Sequence, residues 1–260
     1  MEYRLPNVIR VESDGPVRIV RLNRPDQLNA VNDDLHRALA QVFPQLGADP
    51  DARVAVITGE GRAFSAGGDF DLLDRMIKDR VLRRNVIAEG RDIVLNLVRC
   101  RLPIVAAVNG PAVGLGCSVI ALSDVVYMAE SAYLADPHVA VGLVAADGGP
   151  ITWPLHMSLH HAKELAYTGD RISAARAAEI GLCNHVCPDD EVLDAALAAA
   201  RKVAALPRQA VEATKRVLNL HVERSVLATI DFAMSAETES FDMPELRANV
   251  DRFLGRDASE

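Results

Sequence analysis

No basic run or stripe appears in the 260 residues, and Asp plus Glu outnumber Lys plus Arg by 36 to 28. The formal charge of −8 argues against a nucleic-acid partner, whose phosphates call for clustered cations. A small anionic ligand needs only a few local Arg or Lys residues and stays open. No stretch approaches the roughly 20 apolar residues of a membrane span. The opening MEYRLPNVIRVESDG mixes acids and bases early and lacks the apolar core of a signal peptide. The four cysteines, Cys100, Cys117, Cys183 and Cys187, suggest no disulfide framework, so a cytoplasmic location is the expectation. Cys183-Asn184-His185-Val186-Cys187 has the look of half a metal clip, but no second cluster completes four ligands, and a structural part is expected for it. There is no P-loop lysine, and Gly114-Leu115-Gly116 lacks the later glycine of a dinucleotide fingerprint.

What remains is an ordinary globular balance, 50% hydrophobic and 25% charged, long enough for a sizeable core. Apolar runs at 8–12 and 17–23 read as strands around the turn Asp14-Gly15-Pro16. Asn32 is a plausible N-cap for a helix through Leu35, Leu39 and Val42. Short buried strands are expected at 54–58, 103–109 and 125–129, and helices at 69–75, 84–98 and 115–123. Alternation of this kind implies an α/β fold with both sheet faces covered. Beyond Gly149 the pattern turns helical, with segments at 163–168, 174–179, 190–205, 207–221, 223–236 and 245–254. A core over 1–195 and a helical region over 196–260 are the expected division, the latter covering the pocket or a neighbouring subunit.

Two glycine turns carry the most chemical information. Ala66-Gly67-Gly68-Asp69 follows the strand at 54–58, and Gly114-Leu115-Gly116-Cys117 follows the strand at 103–108. Each opens a helix, so unpaired N–H groups point outward where the helix dipole adds partial positive charge. Brought together, the two turns would hold one oxyanion between two N–H donors. Taken singly, each is an ordinary turn, and Asp69 then serves as a helix-start carboxylate.

In order, these segments resemble the crotonase superfamily, the enoyl-CoA hydratase/isomerase fold. The resemblance rests on Asn23-Arg24-Pro25-Asp26-Gln27-Leu28-Asn29-Ala30, on the stretch from Gly61 to Phe70, on 103–124 with Asn109-Gly110-Pro111-Ala112 inside it, and on the connection through 165–186. It implies a spiral of ββα turns with a C-terminal helical region, assembled as trimers or dimers of trimers. It implies an acyl-CoA thioester as substrate, with no cofactor beyond that coenzyme A. The thioester oxygen would sit between the N–H groups of Gly68 and Leu115. Leu28 and Ala30 match positions flanking the adenine, and Ala66, Asp69, Phe70 and Gly114 would line the substrate pocket.

The sequence departs from that family at the proton-transfer positions. The resemblance places one glutamate of a hydratase at Ser118 and the other at His138. A serine hydroxyl alone is a weak proton-transfer group and reads equally as a small packed helix residue. A histidine exchanges protons near neutral pH, and Asp147, in Ala145-Ala146-Asp147-Gly148-Gly149, follows nine residues later. A return of the chain at Gly142 would bring Asp147 to the same pocket, so His138 and Asp147 are the expected acid/base pair. The layout is similar to the β-diketone-cleaving branch of the superfamily, the 6-oxocamphor hydrolase type, except that Leu115 stands where that branch has a histidine. Retro-Claisen carbon–carbon hydrolysis is therefore the alternative reaction, and a catalytically silent CoA-ester binder the alternative from a different class.

Overall fold

The computed structural model describes residues 1–256. The N-terminal hairpin pairs β1 (Ile9–Asp14) with β2 (Val17–Leu22) antiparallel. A 3-10 turn at Pro25–Gln27 leads to α1 (Asp33–Ala48), capped by Asn32, whose side chain accepts from the Leu35 N–H. Then come β3 (Val54–Gly59), α2 (Phe70–Lys78), α3 (Arg80–Arg99) and β4 (Ile104–Val108). The short β5 (Ala112–Val113) precedes α4 (Leu115–Leu122), β6 (Val125–Ala129) and β7 (Tyr133–Ala135). The remainder is α5 (His138–Val141), α6 (Gly149–His156), α7 (Leu159–Thr168), β8 (Ile172–Ser173), α8 (Ala174–Ile180) and β9 (His185–Cys187), then α9 (Val192–Ala204), α10 (Arg208–Ser240) and α11 (Pro244–Phe253).

The main sheet has the order β1-β2-β3-β4-β6-β9, parallel throughout except for the first hairpin, and β5-β7-β8 form a second, smaller sheet. Every residue of β3 and β4 is buried, because helices cover both faces. Alternate residues Ala55, Ile57, Ile104, Ala106 and Val108 belong to the core that contains α1 and α3. Their neighbours Val54, Val56, Val105 and Ala107 pack instead with Ala196, Leu197, Ala200 and Ala204 of α9. The expected boundary at 195/196 thus falls inside a helix that seals the sheet. The two helices expected at 207–221 and 223–236 are one rod, since α10 contains neither glycine nor proline to interrupt it. No helix among the described residues is long and apolar enough to cross a membrane.

A polar clasp fixes the loop before the first glycine turn. Asn29 is fully buried with φ +54°. Its amide donates to the carbonyls of Glu60 and Ala63 at 3.0 and 2.9 Å, and its Oδ1 accepts from the Arg24 N–H at 2.8 Å. The Ser65 hydroxyl donates to the Asn29 carbonyl at 2.8 Å. The left-handed conformation suits asparagine better than most residues. Asn29→Ala removes three hydrogen bonds and leaves the Ala63 region under-satisfied; a loss of about 2–4 kcal/mol is expected in urea denaturation.

Candidate active site

The two glycine turns meet. Phe64 and Ser65 both donate N–H bonds to the Pro111 carbonyl at 3.1 Å, and Val113 donates to Ser65 at 2.9 Å. On the other side, Val31 donates to the Gly67 carbonyl at 2.7 Å, and Asp69 donates to Val31 at 3.1 Å. Gly67 has φ +89°, and a Cβ there would stand 3.0 Å from the Val113 oxygen. A Cβ on Gly114 would lie 3.7 Å from the Gly67 Cα, and one on Gly116 only 2.7 Å from the Ser65 Cβ. The glycines are needed because the backbones touch. The N–H groups of Gly68 and Leu115 have no hydrogen-bond partner among the described residues, and both residues line one cavity. Leu115 is the first residue of α4, so its free N–H coincides with the positive end of that helix.

The cavity has a volume of about 390 Å³. Leu72, Met76, Val86 and Leu143 make an apolar wall, and His36, His138, Asp147 and Glu237 make a polar one. Phe70 and Phe253, also in the lining, stack with ring centroids 3.6 Å apart. Of the substrate-pocket residues expected from sequence, Ala66, Asp69, Phe70 and Gly114 line this space. Asp69 also caps α2 by accepting from the Asp71 N–H at 3.0 Å. Leu28 and Ala30 lie on the adjoining loop, with the Leu28 carbonyl accepting from the Ala66 N–H at 2.9 Å, and are not in the cavity lining.

His138 and Asp147 face the same cavity, as expected, but His138 takes Asp136 as its hydrogen-bond partner. The Asp136 carboxylate pairs with the imidazole Nδ1 and accepts from the His138 N–H at 3.4 Å. The reason is local: Asp136 ends an extended segment two residues earlier, and the turn at Pro137 brings ring and N–H back onto its carboxylate. Asp147 instead accepts from the buried Ser118 hydroxyl at 2.9 Å. The Gly148-Gly149 pair permits this approach. A Cβ on Gly148 would sit 2.6 Å from the Ser118 Cβ, and one on Gly149 2.3 Å from Asp136 Oδ2.

Charge in the polar wall is divided unevenly. Burial works against the His138 cation, yet Asp136 beside it, with Asp147 and Glu237 farther off, pushes the imidazole up to about 10. Burial likewise opposes charge on Asp136, but His138 holds that carboxyl below its ordinary range. Asp147 is raised by burial despite His138 and the Ser118 hydrogen bond. Burial and the neighbouring Asp147 push Glu237 up to about 8. At neutral pH the wall therefore presents an imidazolium clamped by one carboxylate, next to two carboxyl groups whose charge is disfavoured.

A family model described as enoyl-CoA hydratase/isomerase matches residues 12–259. The chain belongs to that family. A solved enoyl-CoA hydratase/isomerase from Mycobacterium paratuberculosis is 62% identical, with a TM-score of 0.94 over 96% of this chain and 100% of that one. A short-chain-enoyl-CoA hydratase from Clostridium acetobutylicum is 31% identical over 91% of this chain and 88% of its own. A monofunctional enoyl-CoA isomerase from M. smegmatis is 27% identical, with a TM-score of 0.71 over 85% of this chain and 99% of that one. The crotonase fold anticipated from the motifs is thus the observed one. Within this family member, two cavity-wall groups, His36 and Glu237, and the carboxylate behind His138, Asp136, escaped sequence reasoning. Asp136 sat next to the residue of interest but was overshadowed by Asp147. His36 and Glu237 lie on helical faces that otherwise carry core residues, and an ionisable residue in such a stripe was the available signal.

The His138–Asp136 pair is open to direct test. Its folded pKa is raised above the ordinary 6.5, so its contribution to stability is fully present below 6.5 and is lost as pH rises through about 10. Asp136→Asn removes the principal group that raises it and leaves burial dominant. Imidazole NMR titration should show His138 moving down towards or below 6.5; a titration unchanged by the substitution would dismiss the pairing.

Proposed function

We propose that this chain stabilises the enolate of an acyl-CoA thioester between the N–H groups of Gly68 and Leu115 and moves protons with His138 and Asp147. The observation that carries the reading is the meeting of two free N–H groups, from two separate turns, at the rim of the one cavity that also holds a clamped imidazolium. The thioester oxygen gains negative charge as a proton leaves Cα or a nucleophile adds at Cβ. Fixed N–H donors favour that charged state over the neutral carbonyl, and the loss of one donor costs about 10²–10³ in rate.

His138, held protonated by Asp136, is suited to donate its proton to the enolate carbon. Asp136 orients the ring and stays charged in that pairing. Asp147, steadied by the Ser118 hydroxyl, is the acceptor that holds water or takes a proton. In this reading Ser118 positions Asp147 and does not itself exchange protons with substrate. The arrangement performs with one histidine and one aspartate what the family resemblance assigns to two glutamates. Leu28 and Ala30 flank the adenine of coenzyme A in the same reading. The exposed apolar side chains of α10, Leu218, Leu227 and Phe232 among them, support assembly as trimers or dimers of trimers.

Exchange of the Cα protons of a saturated acyl-CoA in D₂O tests the enolate without prior choice of reaction. Wild-type protein should catalyse the exchange. Leu115→Pro should lower it by about 10²–10³, since proline is tolerated at the first position of a helix yet removes the N–H. Unaltered exchange in a correctly folded Leu115→Pro protein would rule out the donor. A parallel panel of 2-enoyl-CoA, 3-enoyl-CoA and cyclic β-diketone substrates assigns hydration, isomerisation or carbon–carbon hydrolysis. Turnover of diketones alone would replace the thioester reading.

A further inference from the structure

Two ionisable side chains in the cavity wall have no part in the chemistry proposed above. Glu237 stands on the core-facing stripe of α10, where Val226, Ile230, Ala233 and Met234 are buried and Phe241 follows one turn beyond the site. A carboxyl group replaces the aliphatic side chain that the spacing leads one to expect there. Glu237 lines the cavity and has no hydrogen bond or ion pair among the described residues. His36 stands on the core-facing stripe of α1 beside Leu35, Leu39 and Phe43, and is 9% exposed. Its Nδ1 is bound by the Glu89 carboxylate at 3.1 Å, which leaves Nε2 as the free polar atom of a ring that also lines the cavity. Met234 relates the two groups. The His36 Nε2 and the Met234 methyl both come within 3.9 Å of where a Cβ on Gly90 would stand, and Glu237 is one helical turn beyond Met234.

We propose that His36 and Glu237 select the acyl group, and that this family member prefers thioesters carrying a hydroxyl or carbonyl oxygen beyond the reacting carbons over plain alkyl chains. The inference rests on the acyl-CoA reading and deepens it. An acyl chain that fills this part of the cavity takes water from the Glu237 carboxyl and from the His36 Nε2, and polar atoms so desolvated are costly unless the ligand supplies their partner. An alkyl chain leaves both unpaired. Sites built to hydrogen-bond a substrate oxygen discriminate strongly against the analogue lacking it. The ligand group is a neutral oxygen and not a charged one. Glu237, pushed up to about 8, is chiefly protonated at neutral pH and both donates and accepts. A ligand carboxylate would meet Asp147 and Glu237, on both of which burial already disfavours negative charge. An ammonium would sit beside the His138 imidazolium.

Calorimetric binding of saturated thioesters tests this without any dependence on turnover. The probes are hexanoyl-CoA, 5-oxohexanoyl-CoA and 6-hydroxyhexanoyl-CoA. At least one oxygenated thioester should bind about tenfold or more tightly than hexanoyl-CoA. Glu237→Leu should abolish or invert that preference while leaving hexanoyl-CoA binding equal or tighter, whereas Glu237→Gln, which keeps a donor and an acceptor, should retain most of it. His36→Phe should weaken the preference in the same sense. A merely structural Glu237 would shift all three ligands together. Equal binding of the three by wild-type protein, or a preference that survives Glu237→Leu, overturns the inference and leaves the acyl-CoA reading standing. Failure of all three to bind overturns both.

Discussion

The structure depends on a handful of backbone hydrogen bonds between two loops distant in sequence. Pro111 accepts from Phe64 and Ser65, and Ser65 accepts from Val113. These bonds hold the second glycine turn against the first at van der Waals distance. Without them, Gly68 and Leu115 would be ends of unrelated helices. The parallel strands β3 and β4 bring the two loops to one edge of the sheet, the edge beyond the strand C-termini where open α/β sheets place their sites. Asn29, Ser65 and Asn109 then stitch the loops to each other with side-chain bonds, Asn109 accepting from the Gly59 N–H at 3.0 Å and donating to the Gly61 carbonyl at 2.8 Å.

Around that backbone frame the electrostatics are arranged by burial. One imidazole is surrounded by carboxyl groups of different character. Asp136, in direct contact, keeps its charge, while Asp147 and Glu237 are pushed towards neutrality by burial. The cavity thereby combines a localised cation, two N–H donors and an apolar wall, the elements on which the proposed enolate chemistry rests.

Much of this was legible in the sequence because it is written in local chemistry. The glycines at 67, 114 and 116 announce close approach of the two turns, the Asn32 cap marks the start of α1, and the unbroken apolar runs at 54–58 and 103–108 are what a sheet buried on both faces requires. The order of motifs made the family visible. What escaped was set by tertiary contact. The partner of His138 depended on how the chain turns at Pro137, and a nearest-in-sequence aspartate won over the one that the loop geometry suggested. Short strands β5, β7, β8 and β9 are too brief for periodicity to show. Glu237 lies some hundred residues beyond His138, and although its place in the apolar stripe of α10 marks it as unusual, only the tertiary fold brings that stripe to the cavity.

The unbroken length of α10 has a consequence for how this chain tolerates change. Thirty-three residues form one rod, with Glu237 near its far end and the stretch from Lys215 anchored at the other, where the ammonium donates to the Leu102 carbonyl at 2.7 Å and to Asp124 at 2.6 Å. Each residue added or removed between those two points rotates Glu237 by about 100° about the helix axis. A single-residue insertion anywhere in that span would swing the carboxyl out of the cavity and bring an outward-facing side chain in. The count of residues between Lys215 and Glu237 is therefore as much a part of the cavity as the identity of the residue at its end.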